Sequence, residues 1–396
     1  MRFIQSLKLA GLLSFPPDME PFELESLNVL IGPNGSGKSN LIEAFELFRA
    51  LPTDFLAALR NSGGPGEWAW KGGGSGSIPQ IELITNAGFL SSESVKYRFE
   101  FGGRLRPFIS VETIEILTRE TLTGNLSKPV SCYRFEGNQA TINVQSKILF
   151  SQEQRIDLED LKLDQSILSQ RRDISLYPVL TRLGEHFHSM HMFRNWSFGP
   201  RSEARQPQRA DLPGDRLLPD ASNLAVIVNN LDSWGRRQEF NDLLKRFFPR
   251  VERLSTPVIG GTVQLLLHET GFDTPVPAAR MSDGTLRFIA MLAVLLSPDP
   301  PPLVCIEEPE LGLHPDAVML MGDVLAEASE RMQLVVTTHS DALVSALTNR
   351  PSAIVACERP GAGTMLRRLD PNYLSEWLED YALGDLWRMG ELGANP

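Results

Sequence analysis

Short apolar runs bounded by turn residues predict strands at the start of the chain. Residues 2–9 and Leu27–Ile31 form two such runs, and the turn-rich Phe15-Pro16-Pro17-Asp18 lies between them. The second run leads directly into a glycine-rich octapeptide, residues 32–39. Apolar residues then recur at the spacing of one helix face. The octapeptide therefore joins a predicted strand to a predicted helix.

Alternating polar and apolar residues predict antiparallel strands over residues 78–150. The alternation is clearest in residues 95–101, Val-Lys-Tyr-Arg-Phe-Glu-Phe. Residues 152–192 return to helical spacing, and residues 223–248 predict one or two helices. Residues 263–268 read as a further strand. These segments describe a β-rich region followed by a mainly helical one.

Strands alternate with helices in the last third of the chain. Residues 285–296 and 316–331 predict helices, and the apolar runs 303–306 and 334–338 predict buried strands. This alternation indicates a largely parallel sheet with functional groups at the carboxyl ends of its strands. We therefore expect an α/β protein with a mixed or parallel core sheet, an antiparallel β subdomain and a helical lobe.

Composition narrows the class of protein. The 396 residues are 42% hydrophobic and 22% charged, which is ordinary for a soluble globular protein. We predict a division into residues 1–150, 151–260 and 261–396. The net charge of −11 argues against binding nucleic acid by bulk electrostatics, although a local basic groove remains open. The three cysteines lack C-x-x-C spacing, and no apolar run is long enough for a membrane span. We expect a cytoplasmic protein with no membrane partner.

The octapeptide fits the phosphate-loop pattern G-x-x-x-x-G-K-[S/T] and predicts binding of ATP with Mg²⁺. Its glycines let backbone N–H groups and the next helix face phosphate anions. Lys38 would reach the β- and γ-phosphates, and the Ser39 hydroxyl would ligate Mg²⁺. The predicted nucleotide-binding residues here are Gly32, Pro33, Asn34, Gly35, Ser36, Gly37, Lys38, Ser39 and Asn40.

Ionisable side chains follow both apolar strands of the last third. Glu307 and Glu308 end the first strand and His339 ends the second. Adjacent strand residues point to opposite sides, so the two glutamates should have different roles. We assign Glu307 to the Mg²⁺ shell through water, and Glu308 to polarising the attacking water. An imidazole at 339 can hydrogen-bond the γ-phosphate. Lys38, Glu308 and His339 are thus the predicted catalytic residues.

A fourth element precedes the helix at residues 285–296. Ser282 or Asp283 would make an ordinary helix N-cap, and this explains the local sequence on its own. The functional interpretation is that Ser282, Asp283, Gly284 and Thr285 present an anion site to the γ-phosphate held by a second copy of the chain.

Taken in order, these elements resemble the ATP-binding-cassette (ABC) ATPases, nearest to the SMC/RecF/OLD-like branch of stand-alone AAA-type ATPases. The residues that carry the resemblance are the phosphate loop, MSDGTLRF at 281–288, IEEPELGLHP at 306–315 and TTHS at 337–340. The resemblance implies a P-loop NTPase head of ABC type that dimerises head to tail around ATP, with residues 311–314 as the D-loop.

The resemblance also implies a glutamine that joins the lobes and helps to hold the metal, and Gln170 is the candidate. The chain departs from the family in two places. The signature reads Ser-Asp-Gly-Thr, where transporters have Ser-Gly-Gly-Gln, and position 307 is glutamate where many members carry aspartate. The first departure favours the SMC/RecF/OLD-like side, and the second weakens the metal role of Glu307.

Three functions remain open. The leading hypothesis is an ATPase whose ATP-driven homodimer regulates a separate effector protein in DNA maintenance or anti-phage defence. A RecF-like DNA-binding clamp or repair protein is the alternative, with DNA as the partner, and a transporter nucleotide-binding subunit is the third. Arginines 201, 205, 209 and 216 lie in a polar loop that we expect to be solvated, and contact with phosphates of nucleotide or DNA is the alternative.

Overall fold

The computed structural model describes residues 2–72, 77–86, 94–103, 107–117, 128–144, 152–194 and 196–395. The chain forms two compact units. Unit 1 comprises Met1–Asn28, Gly32–Met190 and Val355–Arg368, and unit 2 comprises Val29–Ile31, His191–Ile354 and Leu369–Pro396. These units interleave along the chain, whereas the three expected segments follow chain order. The three-segment division therefore stays a prediction.

The elements of the first half of the chain are strands β1–β9 and helices α1–α5. The strands are β1 Ile4–Ala10, β2 Phe22–Glu23, β3 Leu27–Ile31, β4 Gln80–Thr85, β5 Ser94–Gly102, β6 Phe108–Leu117, β7 Val130–Glu136, β8 Gln139–Val144 and β9 Gln152–Ile156. The helices are α1 Lys38–Ala50, α2 Phe55–Asn61, α3 Pro65–Trp68, α4 Ile167–Gln170 and α5 Pro178–His188.

The second half contributes strands β10–β20 and helices α6–α12. The strands are β10 His191–Phe193, β11 Gln208–Arg209, β12 Val251–Ser255, β13 Val258–Ile259, β14 Thr262–Val263, β15 Leu266–Glu269, β16 Val276–Pro277, β17 Leu303–Glu307, β18 Gln333–Thr337, β19 Ile354–Glu358 and β20 Met365–Arg368. The helices are α6 Leu224–Asn230, α7 Arg237–Phe247, α8 Asp283–Leu295, α9 Pro315–Ala328, α10 Asp341–Ala346, α11 Pro371–Leu374 and α12 Leu383–Met389.

Unit 1 is built on an eight-stranded sheet in the order β2-β1-β4-β5-β6-β7-β8-β9. Its neighbouring strands pair antiparallel, which confirms the prediction from the alternating pattern. Tyr97 and Phe99 of β5 face the core, and the Tyr97 ring contacts Phe187 of α5 with 5.6 Å between ring centroids. The stretch predicted to be helical begins instead with β9, because this polar segment pairs with β8.

Unit 2 is organised around parallel strands. β10 pairs with β17 and β17 with β18, in a register that places Glu307 opposite Thr337. The backbone N–H of Thr338 donates to Leu30 of β3 at 3.1 Å, so β3 lies beside β18. The carboxyl ends of β17 and β18 therefore meet at one edge of the sheet. The phosphate loop starts at the residue after β3 in the chain.

The remaining elements surround this sheet. α8 and α9 confirm the two helices predicted beside it, and α6 and α7 confirm the helices predicted over 223–248. The strand expected at 263–268 is divided between β14 and β15, which belong to two different three-stranded sheets. Within the described residues, none of the helices combines the length and apolarity needed to cross a membrane.

Candidate active site

The phosphate loop of unit 1 takes a backbone shape that requires glycine. Gly32, Gly35 and Gly37 have φ values of +146°, +79° and +106°. A Cβ atom on Gly32 would lie 2.3 Å from the Cys357 carbonyl oxygen, and one on Gly37 would lie 2.1 Å from Thr364 Oγ1. Side chains are therefore excluded here by both conformation and space.

Lys38 lies across this loop. α1 begins at Lys38, and its N-cap, Gly37, has no side chain that could cap the first N–H groups. The buried Lys38 Nζ donates to the carbonyl oxygens of Gly32 at 2.6 Å and Pro33 at 3.1 Å. The buried Ser36 Oγ finds no hydrogen-bond partner within the described part of the chain. A phosphate group fits this arrangement. Positive-φ glycines and a helix N-terminus turn N–H groups toward it, and an ammonium group and a hydroxyl lie at the same loop.

A polar network that the sequence analysis missed supports the loop. Thr364 Oγ1 donates to the Ser36 carbonyl oxygen at 2.8 Å and lies 2.7 Å from Ser14 Oγ. The Asn40 amide donates to the same Ser14 Oγ at 2.7 Å. Asn40, expected to bind nucleotide, therefore holds Ser14 in this structure. No sequence spacing indicates this network, because its members lie far apart in the chain.

In unit 2, the predicted catalytic carboxylate and histidine lie side by side. Glu308 Oε1 is 3.9 Å from His339 Nε2. Glu308 has φ +46°, and its N–H donates to the Thr337 carbonyl oxygen at 3.0 Å. A positive φ at a residue other than glycine is uncommon and costs free energy, and such strain clusters at functional sites. The turn after β17 thus holds Glu308 in a constrained position at the sheet edge.

Glu307 has a different environment, as the strand alternation requires. Its Oε2 lies 3.2 Å from Arg194 Nε, whereas its buried Oε1 has no hydrogen-bond partner among the described residues. A buried carboxylate oxygen without a donor fits a cation such as Mg²⁺. In the described residues no group of three or more histidine, cysteine or acidic side chains could hold a metal ion. Any Mg²⁺ there would therefore need substrate oxygens as further ligands.

Glu310 is a site residue that the sequence analysis did not single out. Its Oε1 accepts hydrogen bonds from Thr338 Oγ1 at 2.7 Å and from the His339 N–H at 2.8 Å. Burial raises the pKa of the Glu310 carboxyl group above its ordinary value, although these two hydrogen bonds oppose the rise. Glu310 therefore ties the turn that carries Glu308 to the loop that carries His339. The sequence feature that could have indicated Glu310 as a site residue is its position in the Glu-Glu-Pro-Glu run after β17.

The predicted signature residues begin α8. Ser282 is the N-cap, and its Oγ accepts from the Thr285 N–H at 3.0 Å and lies 2.8 Å from Thr285 Oγ1. A Cβ atom on Gly284 would lie 2.3 Å from the Gly312 carbonyl oxygen, so this helix start packs against the D-loop of the same chain. The ordinary capping role is present, and the Asp283 side chain is 63% exposed.

Arg205 corrects the expectation of a solvated arginine loop. Its side chain is buried and donates to the carbonyl oxygens of Phe198 at 2.7 Å, Ala278 at 3.1 Å and Met281 at 2.6 Å. It also forms an ion pair with Asp283. Arg205 therefore fixes the segment that leads into α8. Arg201 and Arg209 are exposed, as expected.

Gln170 does not lie free for a metal. Its Oε1 accepts from the Lys162 N–H at 3.0 Å, and its Nε2 donates to the carbonyl oxygens of Lys162 at 3.1 Å and Gln165 at 2.8 Å. The side chain thus holds together the turn that precedes α4. The metal role of Gln170 stays a prediction, and it would require these bonds to break.

One family of known domains matches most of the chain. The family described as "AAA domain, putative AbiEii toxin, Type IV TA system" matches residues 27–345. This range contains the phosphate loop, the signature residues, the glutamate pair and His339. The Old nuclease of Escherichia phage P2 is 29% identical over 188 residues, which cover 42% of this chain. The match spans 30% of that nuclease's length.

Solved structures show the same fold at low sequence identity. An Smc head domain bound to the C-terminal winged-helix domain of ScpA superposes with a TM-score of 0.59 and 15% identity, over 94% of this chain and 99% of that one. An Smc head with an extended coiled coil, bound to the C-terminal domain of ScpA from Pyrococcus furiosus, gives a TM-score of 0.55 and 14% identity, over 96% and 99%. The fold is therefore that of an SMC head.

Proposed function

This chain belongs to the AAA domain family matched over residues 27–345 and is an ABC-class ATPase of the SMC/RecF/OLD-like branch, and on that premise we propose how it uses ATP. ATP-bound copies engage head to tail, hydrolysis separates them, and this cycle regulates a separate partner protein. The observation that carries the proposal is the 3.9 Å approach of Glu308 to His339 at the edge of a parallel sheet.

Each site residue has one role in this proposed cycle. The Gly32–Ser39 backbone and Lys38 bind the phosphates of ATP. Glu308 orients the attacking water and accepts its proton, and His339 donates a hydrogen bond to the γ-phosphate. Ser39 and Glu307 are the residues that would hold Mg²⁺, which would neutralise charge on the phosphates. Among the described residues, Glu307 Oε1 and Ser36 Oγ have no hydrogen-bond partner, which supports these assignments.

The exposure of the signature and D-loop supports a second copy as the missing half of the site. Asp283 at the start of α8 and Leu311 in the D-loop are exposed, and Leu311 is an apolar side chain at 50%. The positive end of the α8 dipole suits an anion held by another protomer. A head-to-tail pair with two-fold symmetry would contain two such composite sites.

Light scattering with Glu308→Gln tests this proposal. The variant keeps every phosphate contact but lacks the base, so ATP should bind without turnover and hold the protein as a dimer. Lys38→Ala is the control, because it should stay monomeric in ATP. A Glu308→Gln protein that binds ATP and remains a monomer would contradict ATP-driven engagement.

The biological process is proposed from the relatives. A phage P2 nuclease and Smc heads are similar to this chain, and the family description names a toxin–antitoxin system. These names favour DNA maintenance or anti-phage defence as the setting. Direct DNA clamping is the competing function. Steeply salt-dependent DNA binding in ATP would favour the clamp, whereas its absence would favour action through a protein partner.

A further inference from the structure

Exposed aromatic rings and carboxylates share one segment of unit 2. We name this segment the acidic aromatic face, and its residues are Tyr373, Glu376, Trp377, Glu379, Asp380 and Tyr381. Tyr373 is 76% exposed, Trp377 42% and Tyr381 40%. The rings of Trp377 and Tyr381 lie 6.2 Å apart. Exposed aromatic side chains grouped in this way are typical of protein–protein interfaces.

The charge of this face is uncompensated. No lysine, arginine or histidine occurs between Arg368 and Arg388. Within the described chain, Glu376, Glu379 and Asp380 form no ion pair or hydrogen bond through their side chains. Three carboxylates without ion pairs, in one segment with three exposed rings, attract cations and repel phosphates. Nucleic acid is therefore a poor occupant.

The helix that follows the face packs against α10, which begins after the histidine loop of the same unit. α12 follows the face directly, and a Cβ atom on Gly384 would lie 2.2 Å from the Asp341 carbonyl oxygen. Arg388 Nη1 lies 3.3 Å from Asp341 Oδ2. Asp341 begins α10, two residues after His339. A partner on the face would therefore bind next to α12. This helix packs against α10, which follows the loop of His339.

We propose that the acidic aromatic face docks a basic segment of a separate partner protein. Arginine side chains suit it best, because a guanidinium group stacks on aromatic rings and pairs with carboxylates. A second copy of this chain already has another assigned contact, because the proposed head-to-tail pair forms through the phosphate loop, the signature and the D-loop. The inference rests on the proposed function for its partner and adds the chemistry of that partner.

Binding of a fluorescent peptide of alternating arginine and leucine to the full chain tests the face. The triple variant Glu376→Gln, Glu379→Gln, Asp380→Asn should weaken binding about tenfold, because it removes three exposed charge pairs. The matched control is Asp18→Asn, Glu20→Gln, Glu159→Gln, which changes net charge equally at exposed positions of unit 1. It should change binding less than about twofold.

A second pair of variants tests the rings. Trp377→Ala should weaken the peptide about tenfold through the lost cation–π contact, whereas Phe108→Ala, another exposed aromatic, should not. Equal losses in face and control variants, no peptide binding, or a changed oligomeric state of the face variants without peptide would overturn the proposal. Lys38→Ala should bind the peptide normally, which separates failure here from failure of the ATPase cycle.

Discussion

The carboxylate of Glu310 accepts a hydrogen bond from the backbone N–H of His339 at 2.8 Å. This bond and the one from Thr338 place the histidine loop relative to the turn of Glu308. Glu310→Ala should therefore lower kcat about 10- to 100-fold, since small displacements of catalytic groups are this costly. KM for ATP should change little, because Glu310 has no assigned contact with the nucleotide. Steady-state ATPase assays measure both constants.

Glu310→Gln is the matched control for that loss. The glutamine Oε1 can accept both hydrogen bonds that Glu310 Oε1 accepts. Activity within about threefold of the native protein is expected. A Gln variant as inactive as the Ala variant would show that the charge of Glu310, rather than its bonds to the histidine loop, matters.

The phosphate loop should tolerate alanine differently at two of its glycines. Gly37→Ala places a Cβ atom against Thr364 at a backbone φ of +106°. Gly35→Ala meets no atom of the described residues within 4 Å, at φ +79°. Strain of about 1–3 kcal/mol predicts roughly 5- to 150-fold weaker ATP binding for Gly37→Ala. Gly35→Ala should lose less. Titration calorimetry with ATP measures both affinities. Equal losses of affinity in the two variants would contradict the observed packing of Gly37 against Thr364.

Removal of Arg205 should destabilise the segment before α8. Arg205→Met removes the side-chain donor to the carbonyl oxygens of Phe198 and Met281. It also removes one donor to Ala278, whose carbonyl oxygen keeps the N–H of Met281. We expect the free energy of unfolding to fall by about 2–4 kcal/mol. The exposed Arg201→Met should change it by less than about 0.5 kcal/mol. Urea denaturation measures both free energies of unfolding. An Arg205→Met variant as stable as the native protein would contradict a structural role for the Arg205 hydrogen bonds.

Unit 1 contains a buried carboxyl group that should make stability depend on pH. Burial raises the pKa of Glu112 from 4.5 to about 7, against hydrogen bonds from Ser166, the Ile167 N–H and Tyr97. The folded state therefore holds this proton more tightly than the unfolded state. The resulting stability is complete below about pH 4.5 and is lost as the pH rises through 7.

Glu112→Gln isolates this effect. The variant cannot ionise, so its unfolding free energy relative to the native protein should rise between pH 5 and pH 8, by on the order of 2 kcal/mol. Other titrating groups cancel in this difference. Denaturant unfolding at both pH values provides the measurement, and a difference that does not change with pH would contradict the raised pKa.

Sequence patterns predicted the parts of this molecule that depend on local order. The approach of Glu308 to His339 followed from two apolar strands with ionisable residues at their ends, because parallel strands bring their carboxyl ends to one edge. The start of α8 followed from two candidate N-caps, Ser282 and Asp283, and the Ser282 hydroxyl is the one that caps the helix. The antiparallel strands of unit 1 followed from alternation with a period of two residues.

Contacts between distant segments were not predictable from such patterns. Arg205 donates mostly to backbone carbonyl oxygens. Every residue has such an oxygen, so a sequence pattern cannot indicate which ones accept. Thr364 reaches Ser14 across almost the whole chain. β9 was expected to be helical, and its pairing with β8 overrides the local preference of a polar segment. These are features of tertiary structure.

The central claim is that each ATP site is shared between two copies. Lys38→Ala and Ser282→Arg should each abolish hydrolysis alone, the first by losing phosphate binding and the second by blocking engagement. A mixed dimer would contain one site with an intact Lys38 from one copy and an intact Ser282 from the other. ATP hydrolysis by an equimolar mixture of the two variants is therefore the most direct test. The account predicts recovery of up to about a quarter of the native rate, and a mixture as inactive as its components would contradict it.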